Sequence, residues 1–255
     1  MIYNSLTDAP HNLKECIDWL IALRGTDGES NFQAMGEAVH KFLVDKPVGL
    51  TKLPGLDKVK DISREFIGQR VLRAEPFVED LLKRFNEPMN KQKTEYYSSN
   101  FGKFDESNYT NVVKSRGVTA EEIAEKLAKV TADCEKFLDR LRRPSVYLPS
   151  YSSEATWESS CAKDPEACAI VLVGVAPMLY TGLRTLKEES NAEALRWKRP
   201  NKKNVTLKSV IEALGYKEPD VCTTMSATYV FKSLQRVSFR MLATLYDLSG
   251  FWAFY

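Results

Sequence analysis

Apolar residues recur at helical spacing along most of the chain. Leu13, Ile17, Leu20 and Ile21, with Cys16, share one face of a helix predicted over residues 10–24, which Gly25 ends. Phe32, Met35, Val39, Phe42 and Leu43 make a second face, before Pro47 and the punctuated stretch PVGLTKLPG. Two shorter helices are predicted around residues 56–73 and 76–86. The strongest pattern follows Thr119, which reads with Glu122 as a capping box. Ile123, Leu127, Val130, Cys134, Phe137, Leu138 and Leu141 then mark one side of a helix of about 23 residues. A short helix within SEATWESSCA, one over 207–214 ended by Gly215, and one over 227–248 capped by Ser226 complete the set. No stretch alternates as a strand would. The pattern predicts an all-α fold, an irregular multi-helix bundle of about seven to nine helices.

One run departs from amphipathic spacing: residues 167–183 carry no charge at all. As a helix this run spans roughly 25 Å, against about 30 Å for the hydrocarbon core of a bilayer. A helix apolar on every side belongs in a protein interior when it is not in lipid, so the run is predicted to be the buried centre of the bundle, with no transmembrane segment. Asp164 as N-cap, Pro165 at the first helical position and Glu166 in the first turn start it cleanly. Pro177, with Gly174 and Gly182, predicts a kink or break. Cys161 lies just before this helix and Cys168 in its second turn. Two buried apolar cysteines is the simpler reading, and a disulfide closing a small loop is the other.

Prolines 144 and 149 mark a connection, which suggests an N-terminal helical lobe over 1–143 and a C-terminal one over 144–255, or else one continuous domain. Residues 86–117, rich in Asn, Ser, Lys and Tyr and without periodicity, read as a long exposed loop inside the first lobe. The tail LYDLSGFWAFY ends in five residues of which four are aromatic, so it either docks into the core or awaits a covering segment.

Composition adds bounds. The 255 residues include 36 basic and 34 acidic side chains, a balance that argues against affinity of the whole protein for nucleic acid. The N-terminus lacks the basic and apolar regions of a secretory signal, which predicts a cytosolic start. Only two histidines, His11 and His40, are present, and neither lies in a zinc-type spacing. No phosphate loop, dinucleotide fingerprint or nucleophile elbow occurs. The expectation is a protein without metal, cofactor or catalytic residues. Five cysteines leave the redox compartment open. Asn108 and Asn204 open glycosylation sequons, which read as chance matches. Arg196, Trp197, Lys198, Arg199, Lys202 and Lys203 form the one basic-aromatic cluster, a candidate contact for an anion or a partner, with a solvated loop as the plainer reading.

NSLTDAPHNLKECIDWLIALRGTDG, residues 4–28, resembles the opening of the variant erythrocyte surface antigens of tick-borne red-cell (piroplasm) parasites. Members begin with a Leu-Thr-Asp, Asn-Leu-Lys-Glu, Ile-Asp-Trp pattern that ends in Gly and Asp. SSEATWESSCAKDPEACAIVLVGVAPMLYTGL and LYDLSGFWAFY are similar to stretches expected in related multigene proteins. The resemblance implies a lineage-specific, non-enzymatic protein of the infected host cell, exported or surface-associated, engaged in antigenic variation and adhesion. Its implied partners are proteins: host-cell surface receptors or related antigen subunits. The family's full-length antigens are much larger and carry a membrane-spanning segment, so a short relative without its own anchor is expected. Two readings from other classes stand beside it: an intracellular helical scaffold of the parasite cytoplasm, and a small unrecognised enzyme.

The basic cluster generates a first prediction. Reversing Lys198, Arg199, Lys202 and Lys203 to glutamate should leave the melting temperature within about 2 °C of the parent, because solvated charges contribute only tenths of a kcal/mol. Loss of folding on reversal would make the cluster structural instead.

Overall fold

Most helices begin where the sequence supplies a side-chain acceptor for the orphan amides of a first turn. The computed structural model describes residues 2–91, 106–195, 205–218, 221 and 225–255. Asn12 caps α1 (Leu13–Arg24) and Asp27 caps α2 (Gly28–Leu43). Prolines in the first turn open α3 (Pro54–Ile67) and α4 (Pro76–Asn86), with a 3₁₀ turn at Leu72–Ala74 between them. Two single turns follow, α5 (Glu106–Tyr109) and α6 (Val112–Ser115), and then α7 (Ala120–Leu141), capped by Thr119. Thr156 and Ser159 box the start of α8 (Trp157–Ser160), and Asp164 caps α9 (Pro165–Ala194). The chain continues through α10 (Leu207–Ala213), α11 (Ala227–Ser233), α12 (Phe239–Leu248) and α13 (Phe251–Phe254). Nine of these helices have seven or more residues, and the described residues form no strand, only two isolated bridges. The fold is all-α, as the periodicity predicts.

α9 is the centre. Helices α1, α2, α3, α10, α11 and α12 all pack on it, and Val173 in its uncharged run is fully buried. This helix is long and apolar enough to cross a membrane, and 83% of its most apolar 18-residue window is buried inside the protein. Gly174 lets α3 approach closely, since a Cβ there would lie 2.5 Å from a Val59 methyl. Pro177 does not break the helix, which runs on for 30 residues. Proline removes one amide and crowds the carbonyls of the preceding turn. One of those, Gly174 O, accepts a hydrogen bond from Ser63 Oγ at 2.6 Å.

Two other expectations change. The helix predicted over 227–248 is two helices, because the chain leaves helical geometry after Ser233 and restarts at Ser238, whose side chain caps Met241 N. Between them Val237 is buried, and its carbonyl accepts from Lys187 Nζ. Part of the loop predicted over 86–117 is ordered core: Ser107, Asn108, Val112 and Val113 are buried in or beside the turns α5 and α6. Polar composition hid this, since the burial there is satisfied by hydrogen bonds. The described core is one cluster that runs from Leu6 to Tyr255 and draws on both proposed lobes.

The aromatic tail docks. Phe251, Trp252, Ala253 and Phe254 are all fully buried. A one-turn helix leaves its carbonyls unpaired, and each of these four finds a distant donor. Lys91 Nζ donates to Phe251 O (2.6 Å), Gly49 N to Trp252 O (2.9 Å), Thr51 N to Ala253 O (2.7 Å), and Lys60 Nζ to Phe254 O (2.5 Å). Burial pushes both ammonium groups below the ordinary lysine value, Lys91 to about 7. Two long apolar stems thus carry donors to the carbonyls of a buried turn.

Contact between α2 and α7 is close at Gly36, where a Cβ would collide with the Ala120 carbonyl oxygen. Gly36→Ala gains about 0.5–1 kcal/mol of helix preference but loses about 1–3 kcal/mol to overpacking against backbone. The melting temperature should therefore fall. An unchanged or higher value would show that α2 and α7 separate without cost.

Candidate functional site

A cleft with a volume of about 360 Å³ lies where three segments meet. The last turn of α1 contributes Ile21, Ala22 and Gly25, the end of α7 contributes Leu138 and Arg142, and residues 147–158 close the third side. Its back wall is a buried polar network around Asp18. Lys14 Nζ donates to Asp18 Oδ2 (3.0 Å), to the Leu148 carbonyl (2.8 Å) and to Ser150 Oγ (3.1 Å). The Asp18 carboxylate also accepts from Tyr147 OH (2.7 Å) and Ser150 N (2.8 Å). Lys14 further sits over the Tyr147 ring, 4.6 Å from its centre. Helical spacing makes this network: residues i and i+4 of α1 share a face, and that face meets the 147–151 segment.

The N-terminal segment is tied to the same wall. Tyr3 N donates to Ser150 O, Ser152 N to Tyr3 O, and the Tyr3 and Tyr151 rings stack at 4.9 Å. Glu15 accepts from Tyr3 OH (3.0 Å), His11 N (2.8 Å) and Asn12 Nδ2 (2.7 Å), while Trp19 Nε1 donates to Leu6 O (2.8 Å). Burial, and for Tyr3 the neighbouring Glu15 carboxylate, push the phenols of Tyr3 and Tyr151 above the ordinary tyrosine value. Both remain neutral donors.

No protein-family model, curated protein or solved structure matches this chain. The geometry alone therefore speaks for the site.

The structure treats the sequence candidates unevenly. Cys161 and Cys168 form a disulfide, which goes beyond the simpler reading of two reduced thiols. Both are fully buried, and they tie the end of α8 to the second turn of α9. Arg196, Trp197, Lys198, Arg199, Lys202 and Lys203 lie outside the described residues, as does Asn204. Asn108 is buried, and its Oδ1 accepts from Arg84 (2.6 Å) and Tyr246 (2.8 Å), so its sequon is occupied by packing. Among the described residues no three His, Cys, Asp or Glu side chains could hold a metal ion together. Sequence reasoning missed the Asp18 network. The Lys14/Asp18 spacing was the available signal, but such pairs are usually solvated helix faces, and only the fold buries this one.

Asp18→Asn should be severe. It leaves the buried Lys14 ammonium without its counter-charge, at a cost of about 3 kcal/mol or more. Adding Lys14→Met should recover part of that loss, which a double-mutant cycle by urea denaturation would measure. Strict additivity of the two changes would show the pair to be uncoupled.

Proposed function

We propose that the chain is a non-enzymatic interaction module, exported to or displayed by an infected host cell, of the kind implied by the likeness of residues 4–28 to variant erythrocyte surface antigens. The observation that supports this reading is the Cys161–Cys168 disulfide. Disulfides persist in oxidising surroundings and are rare in proteins kept among reducing cytosolic thiols. Here the bridge closes a short loop at the entrance of the central helix, where it stabilises the start of the most buried element. The two other described cysteines, Cys16 and Cys134, are buried, and burial pushes their thiols up, away from the reactive thiolate. An exported module needs its reactive thiols either bonded or hidden, and the four described cysteines are one or the other; Cys222 lies outside the described residues.

Two measurements test the reading. Alkylation of thiols in intact infected cells before lysis, followed by peptide mapping, should recover Cys161 and Cys168 in linkage. Antibody staining of unpermeabilised red cells should light the surface. Both cysteines alkylated, with signal only inside the parasite, would favour the intracellular scaffold. In the purified protein, replacing the bridge by Cys161→Ala with Cys168→Ala should lower stability by about 2.5 kcal/mol, the chain-entropy value for so short a loop.

A further inference from the structure

The floor of the cleft beside Asp18 is aliphatic, made by Ile21, Ala22, Leu138 and Ala155. Its volume of about 360 Å³ lies within the range of sites that enclose a small group. The C-terminal ends of α1 and α7 both point into it, so the negative ends of two macrodipoles gather there. Three charged side chains line it: Asp18, Arg142 and Glu158. Lys14 matches Asp18, and Asp139 matches Arg142 at 2.6 Å. Glu158 is exposed and makes no ion pair or side-chain hydrogen bond among the described residues. The N-terminus of α2 approaches through Asn31, but Asp27 caps it and Glu29 offsets its positive end. What is left over is negative charge above an apolar floor.

Exposed apolar residues adjoin the lining in sequence. Val146 and Leu148, 40% and 70% exposed, alternate with Tyr147 and Pro149 of the lining. Ile2, 63% exposed, precedes Tyr3, which stacks on Tyr151 of the same wall. Exposed apolar residues beside a pocket mark a protein-docking surface more often than a small-molecule site.

We propose that this cleft seats a basic side chain of a partner polypeptide, its aliphatic stem on the floor and its cationic head beside Glu158. The proposal rests on the reading of the chain as an interaction module. Its test uses only purified protein, so it can fail while the disulfide and export stand, and the reverse.

Amide chemical shifts would be followed while N-acetyl-arginine amide, or its uncharged counterpart N-acetyl-citrulline amide, is titrated into the intact chain. The arginine probe should shift Gly25, Thr26, Ala155 and Glu158 and bind about fivefold tighter than citrulline, the most that one solvent-exposed ion pair supplies. Glu158→Gln should erase that preference, and Ser153→Trp, at an exposed lining position, should block both probes. Both substitutions are at exposed positions, so the fold should persist. Silence at those amides, equal binding of the two probes, or a preference that survives Glu158→Gln would overturn the proposal.

Discussion

A helix without a single charge from Ala167 to Leu183 has no side that tolerates water, so α9 must be surrounded by protein. That requirement explains the economy of the other helices. Each of the six that pack on α9 needs only one apolar face, which is why the strongly patterned sequences of α3 and α12 suffice despite their modest lengths. The small residues of α9 set how close the neighbours come: Gly174 receives α3 and Gly182 receives Leu13 of α1. Beyond the uncharged run, Arg184 stacks its guanidinium over Phe77 at 3.9 Å and pairs with Glu188 at 2.7 Å. Polarity returns there because the helix begins to emerge from its neighbours.

Residues 4–28 are mostly structural in this fold. Asn12 caps α1, Glu15 gathers three donors, Lys14 and Asp18 make the buried pair, and Trp19 reaches back to Leu6. The pattern over residues 4–28 thus records how the N-terminal segment docks. It does not by itself name a binding surface. The disulfide and the cleft bring independent observations, one about compartment and one about contact chemistry.

Helix faces and caps were legible in the sequence because each depends on residues within a turn or two. Thr119, Asp164, Ser226 and Gly25 all act where local spacing puts them. The break after Ser233 was not legible, since apolar residues continue at plausible spacing through Val237 and nothing local marks the turn. Persistence of α9 through Pro177 was equally hidden, because the helices packed around it come from elsewhere in the chain, Ser63 of α3 among them, which donates to Gly174 O 111 residues away. The cleft joins residues 18–31 to residues 138–158, more than a hundred positions away, and no short window of sequence contains it. Buried Ser107 and Asn108 show the same limit for polar residues, whose partners Asp247, Arg84 and Tyr246 come from elsewhere.

The four capped carbonyls of α13 carry a consequence for how the chain is made. Their donors at Gly49, Thr51, Lys60 and Lys91 leave the ribosome long before residues 251–254 exist. Until residues 251–254 are made, these four donors lack those acceptors, and closing so long a loop is entropically slow. Residues 251–254 then arrive well after their donors and cover part of the hydrophobic interior, so nascent chains stalled short of them would expose core to chaperones.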